Sequence, residues 1–219
     1  SYGWCGNLKK VNIKDLSAWC RIDFGSEDAN PLYYENSLYL NNELITELVI
    51  PSDITEIKSD AFHFYSNLSS ITIGDSVTAI GDRAFWGCSG LMSVTIGKNV
   101  TAIGKNAFLG CSGVLTVNCN IPSAPFDDDH TFAGVFENSK FTSVIFGDNV
   151  NTIGRNAFSC CESLTSISIS PSIVSIESGA FYRSKGIGIT KVYIKDLSAW
   201  LRIDFESNPL SGTFSLYLN

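Results

Sequence analysis

The feature that most constrains this chain is a repeat of 23 residues in its middle. Leu68 to Gly90 reads LSSITIGDSVTAIGDRAFWGCSG, and Leu91 to Gly113 reads LMSVTIGKNVTAIGKNAFLGCSG. A fixed period of about 20 to 50 residues is typical of stacked-repeat proteins. One such unit cannot bury its own apolar side chains, so neighbouring units must stack and share a continuous core. The sequence therefore predicts one elongated solenoid.

The pattern inside a unit predicts its local structure, with Leu91 taken as position 1. Val94 and Ile96 alternate with small polar residues, which indicates a half-buried strand. Val100 to Ile103 indicates a second short extended segment, and Ala107-Phe108 predicts a tight turn that points an aromatic ring inward. We expect equivalent residues of successive units to form ladders at a strand spacing of about 4.8 Å.

The period divides the whole chain, residues 1–219, into units of one solenoid domain. Regular units are predicted at 45–67, 68–90, 91–113, 141–163 and 164–188, and longer variant units at 8–44, 114–140 and 189–219. Two of the long units are duplicates, because Val11 to Phe24 and Val192 to Phe205 match at 12 of 14 residues. Asn-Pro-Leu and Ser-Leu-Tyr-Leu-Asn follow both copies, which indicates a larger repeat and a segment of a longer protein.

Composition excludes two classes of partner. The net charge is −7 and the Lys and Arg residues are dispersed, whereas nucleic-acid binding calls for a basic stripe. No apolar run approaches the roughly 18 residues that a membrane-spanning helix needs.

The seven cysteines follow the repeat. Four of them occupy position 21, where Tyr65 and Ser184 stand in other units: Cys5, Cys88, Cys111 and Cys161. Cys119 stands at position 6, where Ile is usual, and Cys20 has Leu201 as its counterpart in the duplicated segment. Cysteines that exchange with Ile, Leu and Tyr are predicted to be small buried hydrophobes. A disulfide between neighbouring position-21 sulfurs stays open as an alternative. A metal site lacks a CxxC motif or paired histidines.

The consensus LxxVxIxxxVxxIGxxAFxxC resembles the BspA-like, or Treponema pallidum-type, leucine-rich repeat. The segments VTAIGDRAFWGCSG, VTAIGKNAFLGCSG and VNTIGRNAFSC carry the resemblance, which extends over nearly all of Leu8 to Asn219. It implies an α/β repeat fold, a curved leucine-rich-repeat solenoid that is mostly β, with short strands and short helical turns or loops. It also implies a secreted or surface protein of a host-associated bacterium. Members of this family are associated with adhesion to matrix proteins such as fibronectin and fibrinogen, and they offer no catalytic residues or cofactor to transfer.

The first candidate site is the outward side of the strands, at positions 3 and 5. Solenoids bind ligands on such extended surfaces, although small hydroxylated residues also simply suit an exposed strand. The predicted members are Lys10, Asn12, Glu47, Val49, Ser70, Thr72, Ser93, Thr95, Thr116, Asn118, Ser143, Ile145, Ser166, Ser168, Lys191 and Tyr193.

The second candidate site is position 19, directly after the inward Phe. Tyr and Trp are frequent anchors of protein interfaces, although these rings could instead lie against the neighbouring loop. The position holds His63, Trp86, Leu109, Ser159 and Tyr182.

Two further features have simpler structural explanations. Asp127 to Asp129 beside His130 could hold a cation, but the spacing matches no EF-hand, and a solvated acidic loop is the better explanation. Trp19 and Trp200 could stack on a sugar, but both lie in apolar segments and are predicted to pack in the core.

The sequence thus predicts a non-catalytic protein-binding module at the cell surface or outside the cell, which adheres to host matrix proteins or to other cells. A structural spacer that presents another domain, or a glycan-binding surface, remains the alternative. No metal site, cofactor or nucleic-acid partner is expected. The predicted ligand-binding residues are His63, Trp86, Tyr182, Thr72, Thr95, Ile145 and Tyr193.

Overall fold

The computed structural model describes residues 8–34, 36–120, 135–182, 188–206, 210 and 213–219. The acidic run from Asp127 to His130, which is predicted to be a solvated loop rather than a cation site, lies outside the described residues. Cys5 also lies outside them.

Short strands make up most of the regular structure. The first half of the chain contains β1 (Lys10–Ile13), α1 (Leu16–Cys20), β2 (Ser37–Leu40), β3 (Glu43–Leu44), β4 (Glu47–Val49), β5 (Glu56–Ile57), β6 (Ser70–Ile73), β7 (Ala79–Ile80), β8 (Ser93–Ile96), β9 (Ala102–Ile103) and β10 (Ser112–Val117). The second half contains β11 (Lys140–Phe146), β12 (Thr152–Ile153), β13 (Ser166–Ile169), β14 (Ser175–Ile176), β15 (Lys191–Ile194), α2 (Leu197–Trp200), β16 (Asp204–Phe205) and β17 (Ser215–Leu218). Two 3-10 turns, Glu27–Ala29 and Pro31–Tyr34, lie between α1 and β2. Within the described ranges, no helix is long and apolar enough to cross a membrane.

The main sheet is a parallel ladder of eight strands in the order β17-β15-β13-β11-β10-β8-β6-β4. Ser70 pairs with Ser93 and Ile73 with Ile96, so each strand lies beside its equivalent one repeat later. The inward residues Ile71, Val94 and Leu115 are fully or almost fully buried. The ladder confirms the predicted solenoid.

A second row of two-residue strands forms another side of the solenoid. It consists of two parallel sheets, β5-β7-β9 and β12-β14-β16. Ala79 pairs with Ala102 and Ile80 with Ile103, which confirms the predicted extended segment. Residue 104, just before the Ala-Phe turn, is a glycine because the backbones of adjacent solenoid turns nearly touch there. A Cβ added to Gly104 would clash with the backbone nitrogen of Asp82.

The Ala-Phe turns build the third side and the centre of the core. The Phe85 nitrogen donates to the Ala107 carbonyl of the next turn at 2.9 Å, and the same bond recurs between other turns. The phenylalanine rings form one continuous stack, with neighbouring centroids 4.9 to 5.6 Å apart: Phe62, Phe85, Phe108, Phe136, Phe158 and Phe181. All six rings are buried.

The position-21 cysteines pack beside this stack. The thiols of Cys88, Cys111 and Cys161 donate to the carbonyls of Phe62, Phe85 and Phe136 respectively, at 3.0 to 3.2 Å. All three are free and buried, which confirms the prediction of small buried hydrophobes. The alternative of a disulfide between Cys88 and Cys111 is therefore wrong for this structure.

The strand register corrects one predicted boundary. Leu115 pairs with Val94 and Thr116 with Thr95, so β10 begins two residues earlier than the 114–140 unit implies. The loop after Cys111 is two residues shorter than the loop after Cys88. Thr116 therefore occupies position 5 rather than position 3, Val114 takes position 3, and Asn118 leaves the predicted face.

The first unit also departs from the prediction that all outward strand residues share one sheet. Lys10 and Asn12 lie on β1, which pairs with β2 in a separate sheet of three strands. The third strand, β3, pairs with β2 as an antiparallel hairpin. The hairpin turn consists of Asn41 and Asn42, both with positive φ (50° and 71°). Asparagine tolerates this conformation well, and it matches the twist of a two-residue hairpin.

Candidate binding surfaces

The sheet face consists of the two outward columns of the main sheet, at positions 3 and 5. Position 5 contains Val49, Thr72, Thr95, Thr116, Ile145, Ser168, Tyr193 and Tyr217, in consecutive register. The structure therefore brings four predicted residues, Thr72, Thr95, Ile145 and Tyr193, into one column.

The sheet face has mostly small side chains in its middle and larger ones at its ends. The central strands present Ser and Thr apart from Val114 on β10 and Ile145 on β11, while Val49 at one end is 65% exposed. Tyr193 and Tyr217 stack at the other end with their centroids 5.1 Å apart. The middle of the face therefore offers hydroxyl groups and the side chains of Val114 and Ile145, but no aromatic ring for a partner to contact.

The loop edge carries a second surface, which we term the aromatic edge cluster: Tyr33, Tyr34, His63, Phe64 and Trp86. These rings come from three successive turns. His63 stacks on Phe64 at 4.3 Å and on Trp86 at 4.9 Å between centroids. Tyr33 approaches both His63 and Phe64, and Tyr34 meets Tyr33 edge-on.

The prediction that His63 contacts a ligand is wrong. Its side chain is completely buried, because the rings of Phe64, Trp86 and Tyr33 surround it. His63 instead supports the cluster from within. Trp86 is half-buried and Tyr34 remains exposed, so these rings can reach a partner.

Tyr182 does not belong to this cluster. It is 42% exposed, but its unit follows β13, four strands along the main sheet from the Trp86 unit, which follows β6. The structure thus separates two residues that the sequence placed on one edge stripe. Each stays a predicted contact residue in its own right.

Phe64 is the cluster residue that adopts an unusual backbone conformation. Its φ is +56°, and the equivalent position 20 in other turns is Gly87, Gly110, Asn138 or Cys160, all with positive φ. A bulky residue in this region is an outlier that costs on the order of 1 to 2 kcal/mol. The backbone is therefore strained at Phe64, where it holds a half-exposed aromatic ring.

Gly87 makes room for that ring. A Cβ added to Gly87 would lie 2.2 Å from Cδ1 of Phe64, so no other residue fits beneath it without displacement. The signal for Phe64 was available in the sequence, because His63-Phe64 stands where the next units have Trp-Gly and Leu-Gly. Tyr33 and Tyr34 had no such signal, since they lie in the irregular first unit.

An ion pair between half-buried Arg83 and a buried carboxylate lies next to the cluster. Nε and Nη2 of Arg83 donate to the two carboxylate oxygens of Asp60 at 2.8 and 2.9 Å. The Asp60 side chain is 4% exposed, and its Oδ1 lies 3.6 Å from Nδ1 of His63. The Asn30 amide also donates to the Asp60 carbonyl at 2.5 Å. These contacts tie three successive turns together, so the rings above them are held rigidly.

The buried thiols have environments that suppress reactivity. Burial raises the pKa of Cys20 and of Cys161 to about 12, and that of Cys119 to about 11. Such thiols remain protonated at neutral pH and are poor nucleophiles. Across the described residues, no group of three or more His, Cys, Asp or Glu side chains is arranged to hold a metal ion.

Trp19 and Trp200 occupy different environments. Trp19 is 4% exposed and its Nε1 donates to the Ala61 carbonyl at 2.9 Å, which confirms the prediction of core packing. Trp200 is only half-buried and contacts Phe205 and Phe214.

With this geometry established, the chain can be compared with known proteins. It matches the BspA type leucine-rich repeat region, in six copies, over residues 34–127 and 130–200. The chain belongs to the BspA-type leucine-rich-repeat family. No curated protein matches this member of the family.

Three solved structures resemble this BspA-type chain. A leucine-rich cell surface protein from Faecalibacterium prausnitzii is 22% identical, with a TM-score of 0.47, and the match covers 78% of this chain and 47% of that one. A leucine-rich repeat protein from Bacteroides ovatus is 26% identical (TM-score 0.40, 68% and 39% covered). Another from Eubacterium ventriosum is 18% identical (TM-score 0.37, 90% and 65% covered). The chain thus spans about half the length of the first of these proteins.

Proposed function

We propose that this chain is a non-catalytic protein-binding module of a bacterial protein that acts at the cell surface or outside the cell. The observation that carries the proposal is the aromatic edge cluster, a rigid group of rings that the chain builds at a cost in backbone strain. Membership of the BspA-type family supports a binding role, since repeats of this kind present extended surfaces rather than enclosed sites.

The aromatic edge cluster is the part of the surface best suited to bind a protein. Interfaces draw most of their free energy from a few Trp, Tyr and Arg residues that are already held in place. Here Trp86, Phe64 and Tyr34 are partly accessible, and the pair of Arg83 with Asp60 holds their base. Because the rings are already held in place, their side chains lose little conformational freedom when a partner binds.

The sheet face would play the secondary part. Its Thr72 and Thr95 can accept and donate hydrogen bonds, while Ile145 adds apolar contact in the middle and Tyr193 near one end. Tyr182 lies on the loop edge at that same end of the solenoid. We propose that affinity is dominated by the cluster and that these residues contribute smaller increments.

The partner we propose is a surface or matrix protein of the host or of another bacterium. The test is a binding screen of the purified chain against immobilised fibronectin, fibrinogen, other matrix proteins and whole bacterial cells. The Trp86→Ala variant is compared with Met92→Ala, which truncates an apolar side chain that is 69% exposed and outside the cluster.

A hot-spot residue typically contributes at least about 1.4 kcal/mol, a tenfold change in Kd. We therefore expect Trp86→Ala to weaken saturable binding about tenfold or more, while Met92→Ala binds like the parent. Thermal melts of both variants check that the fold is retained. Absence of saturable binding across the screen would contradict the proposal and favour a spacer role.

A further inference from the structure

The main sheet ends at β4, although the chain continues on that side as β1, β2 and β3. Among the described strands, β4 pairs only with β6. The first three strands form their own sheet, and neither β2 nor β3 runs alongside β4. The ladder is therefore interrupted inside the solenoid, and the described part of the chain places no strand on the other edge of β4.

The backbone groups on that edge belong to Glu47 and Val49. The Thr46 carbonyl accepts a hydrogen bond of 2.7 Å from the next turn, and the Ile50 nitrogen donates one of 2.9 Å to that turn. Because backbone groups alternate in direction along a paired strand, Leu48 also faces β6 and residues 47 and 49 face away from it. Unpaired N–H and C=O groups in such a row are a template for another strand.

The side chains along this edge are apolar and acidic, and we call the surface the β4 edge: Glu43, Leu44, Glu47 and Val49. Val49 is 65% exposed and Leu44 is 41% exposed, while both glutamates are exposed. None of the ion pairs formed within the described residues involves either glutamate. The β4 edge therefore combines free backbone groups, apolar side chains and uncompensated negative charge.

We propose that the β4 edge binds an extended, basic segment of another protein as an added strand. Main-chain hydrogen bonds to Glu47 and Val49 would provide affinity, and alternate side chains would provide specificity. The segment that fits has a Lys or Arg beside Glu47 and an apolar residue beside Val49, two positions apart, because cross-strand neighbours share one face of a sheet.

Charge argues against a second copy of this chain as the occupant. Pairing two β4 edges would bring the glutamates of both copies together, in a chain whose net charge is −7. Like charges on facing strands are destabilising. The β4 edge contains no residue of the aromatic edge cluster, so this inference stands independently of the proposed function.

The test uses the fluorescein-labelled hexapeptide KVKVKV, which is titrated against the purified chain by fluorescence anisotropy. A second KVKVKV peptide is N-methylated at every peptide nitrogen, so it keeps its charge but cannot donate main-chain hydrogen bonds. Glu47→Lys reverses the charge of the edge, and the peptide EVEVEV probes that variant. Glu162→Lys is the matched control, because it makes the same change at an exposed glutamate outside the edge.

We expect saturable binding of KVKVKV that Glu47→Lys weakens about tenfold or more, whereas Glu162→Lys binds like the parent. The N-methylated peptide should not bind. Glu47→Lys should bind EVEVEV, which the parent should not. Hydrogen exchange of the Glu47 and Val49 amides should slow about tenfold or more when KVKVKV is bound. Thermal melts check that both variants retain the fold.

Three results would overturn the proposal. Binding that survives N-methylation, or that leaves exchange of the Val49 amide unchanged, would mean a general attraction between a basic peptide and an acidic chain. Absence of binding would mean that Glu47 only keeps the edge solvated. A protected Val49 amide in a dimer of the unbound chain would make a second copy the occupant.

Discussion

The sheet face and the aromatic edge cluster arise from the same repeat but differ in their chemistry. On the sheet face, each residue lies beside its equivalent in the next strand, so neighbouring side chains tend to be alike, as Thr72, Thr95 and Thr116 are. At the loop edge, successive turns contact one another through backbone hydrogen bonds, and the side chains at positions 19 and 20 are freer to differ. The comparison shows that a solenoid can vary its loop edge with little change to its ladder.

The difference also indicates where to look for function in such a protein. A residue that follows the repeat, such as Thr95, is explained by the fold. A residue that departs from it at a cost, such as Phe64 at a position that suits glycine, needs another reason.

The largest expected effect comes from alkaline pH, which should weaken the shared core. Burial raises the pKa of Cys20, Cys161 and Cys119 above the ordinary value of 9.0. Below pH 9 the thiols are protonated in both states, so their contribution is fully present. Above pH 9 the unfolded chain loses protons that the folded chain retains, and stability falls by about 1.4 kcal/mol per pH unit for each thiol.

Urea unfolding at pH 8, 9 and 10 measures this slope. Cys20→Ala provides the control, because removing one thiol should make the decline with pH shallower by that thiol's share. A stability that stays constant between pH 8 and 10 would contradict the burial of these thiols.

The next effect tests the ion pair beneath the cluster. Arg83→Asn keeps a residue that tolerates positive φ, since Asn106 and Asn156 occupy the same position in other turns. It leaves the buried Asp60 carboxylate without its bidentate partner, and we expect a loss of about 3 kcal/mol in unfolding free energy. The double variant Asp60→Asn/Arg83→Asn should recover most of that loss in urea unfolding. Additive losses in the double-mutant cycle would show that the pair is not coupled.

The third effect separates strain from packing at Phe64. Gly87→Ala introduces a Cβ at φ +74° that would meet the Phe64 ring, and we expect it to cost about 2 kcal/mol. In a Phe64→Gly background the steric part disappears, so the same substitution should cost only about 1 kcal/mol. Thermal unfolding of the four proteins measures both losses of stability. If Gly87→Ala destabilises both backgrounds equally, the Phe64 ring does not contact residue 87.

The smallest effect is expected on the sheet face. Thr72→Ala and Thr95→Ala remove hydroxyl groups from outward strand positions, one exposed and one half-buried, so each should change the unfolding free energy by no more than about 0.5 kcal/mol. Chemical denaturation of the single variants measures this change. A loss of 2 kcal/mol or more would mean that the hydroxyl column itself stabilises the ladder.

Periodicity predicted the repeating architecture well, because the inward residues of each strand are forced into ladders. It failed where the loop length changed, since the two residues missing after Cys111 shift β10 without altering the apolar pattern nearby. It also could not show that β1 leaves the main sheet, because that depends on the β2–β3 hairpin.

The candidate site was less predictable than the fold. The sequence identified the ring at Trp86 but also predicted that His63 contacts a ligand, since position 19 alone does not reveal which neighbours enclose a side chain. The same limit applies to Trp19 and Trp200, which have matching local sequences and different burial. Burial in a solenoid is decided by the adjacent turn, and that turn lies at least 20 residues away in sequence.

The most direct test of the central claim is hydroxyl-radical footprinting of the chain bound to the partner that the binding screen identifies. We predict that oxidation of Trp86, Phe64 and Tyr34 falls on binding, while oxidation of Val49, Met92 and Tyr193 stays unchanged or falls less. Protection of the sheet-face residues with an unprotected Trp86 would contradict the account and assign partner binding to the sheet face.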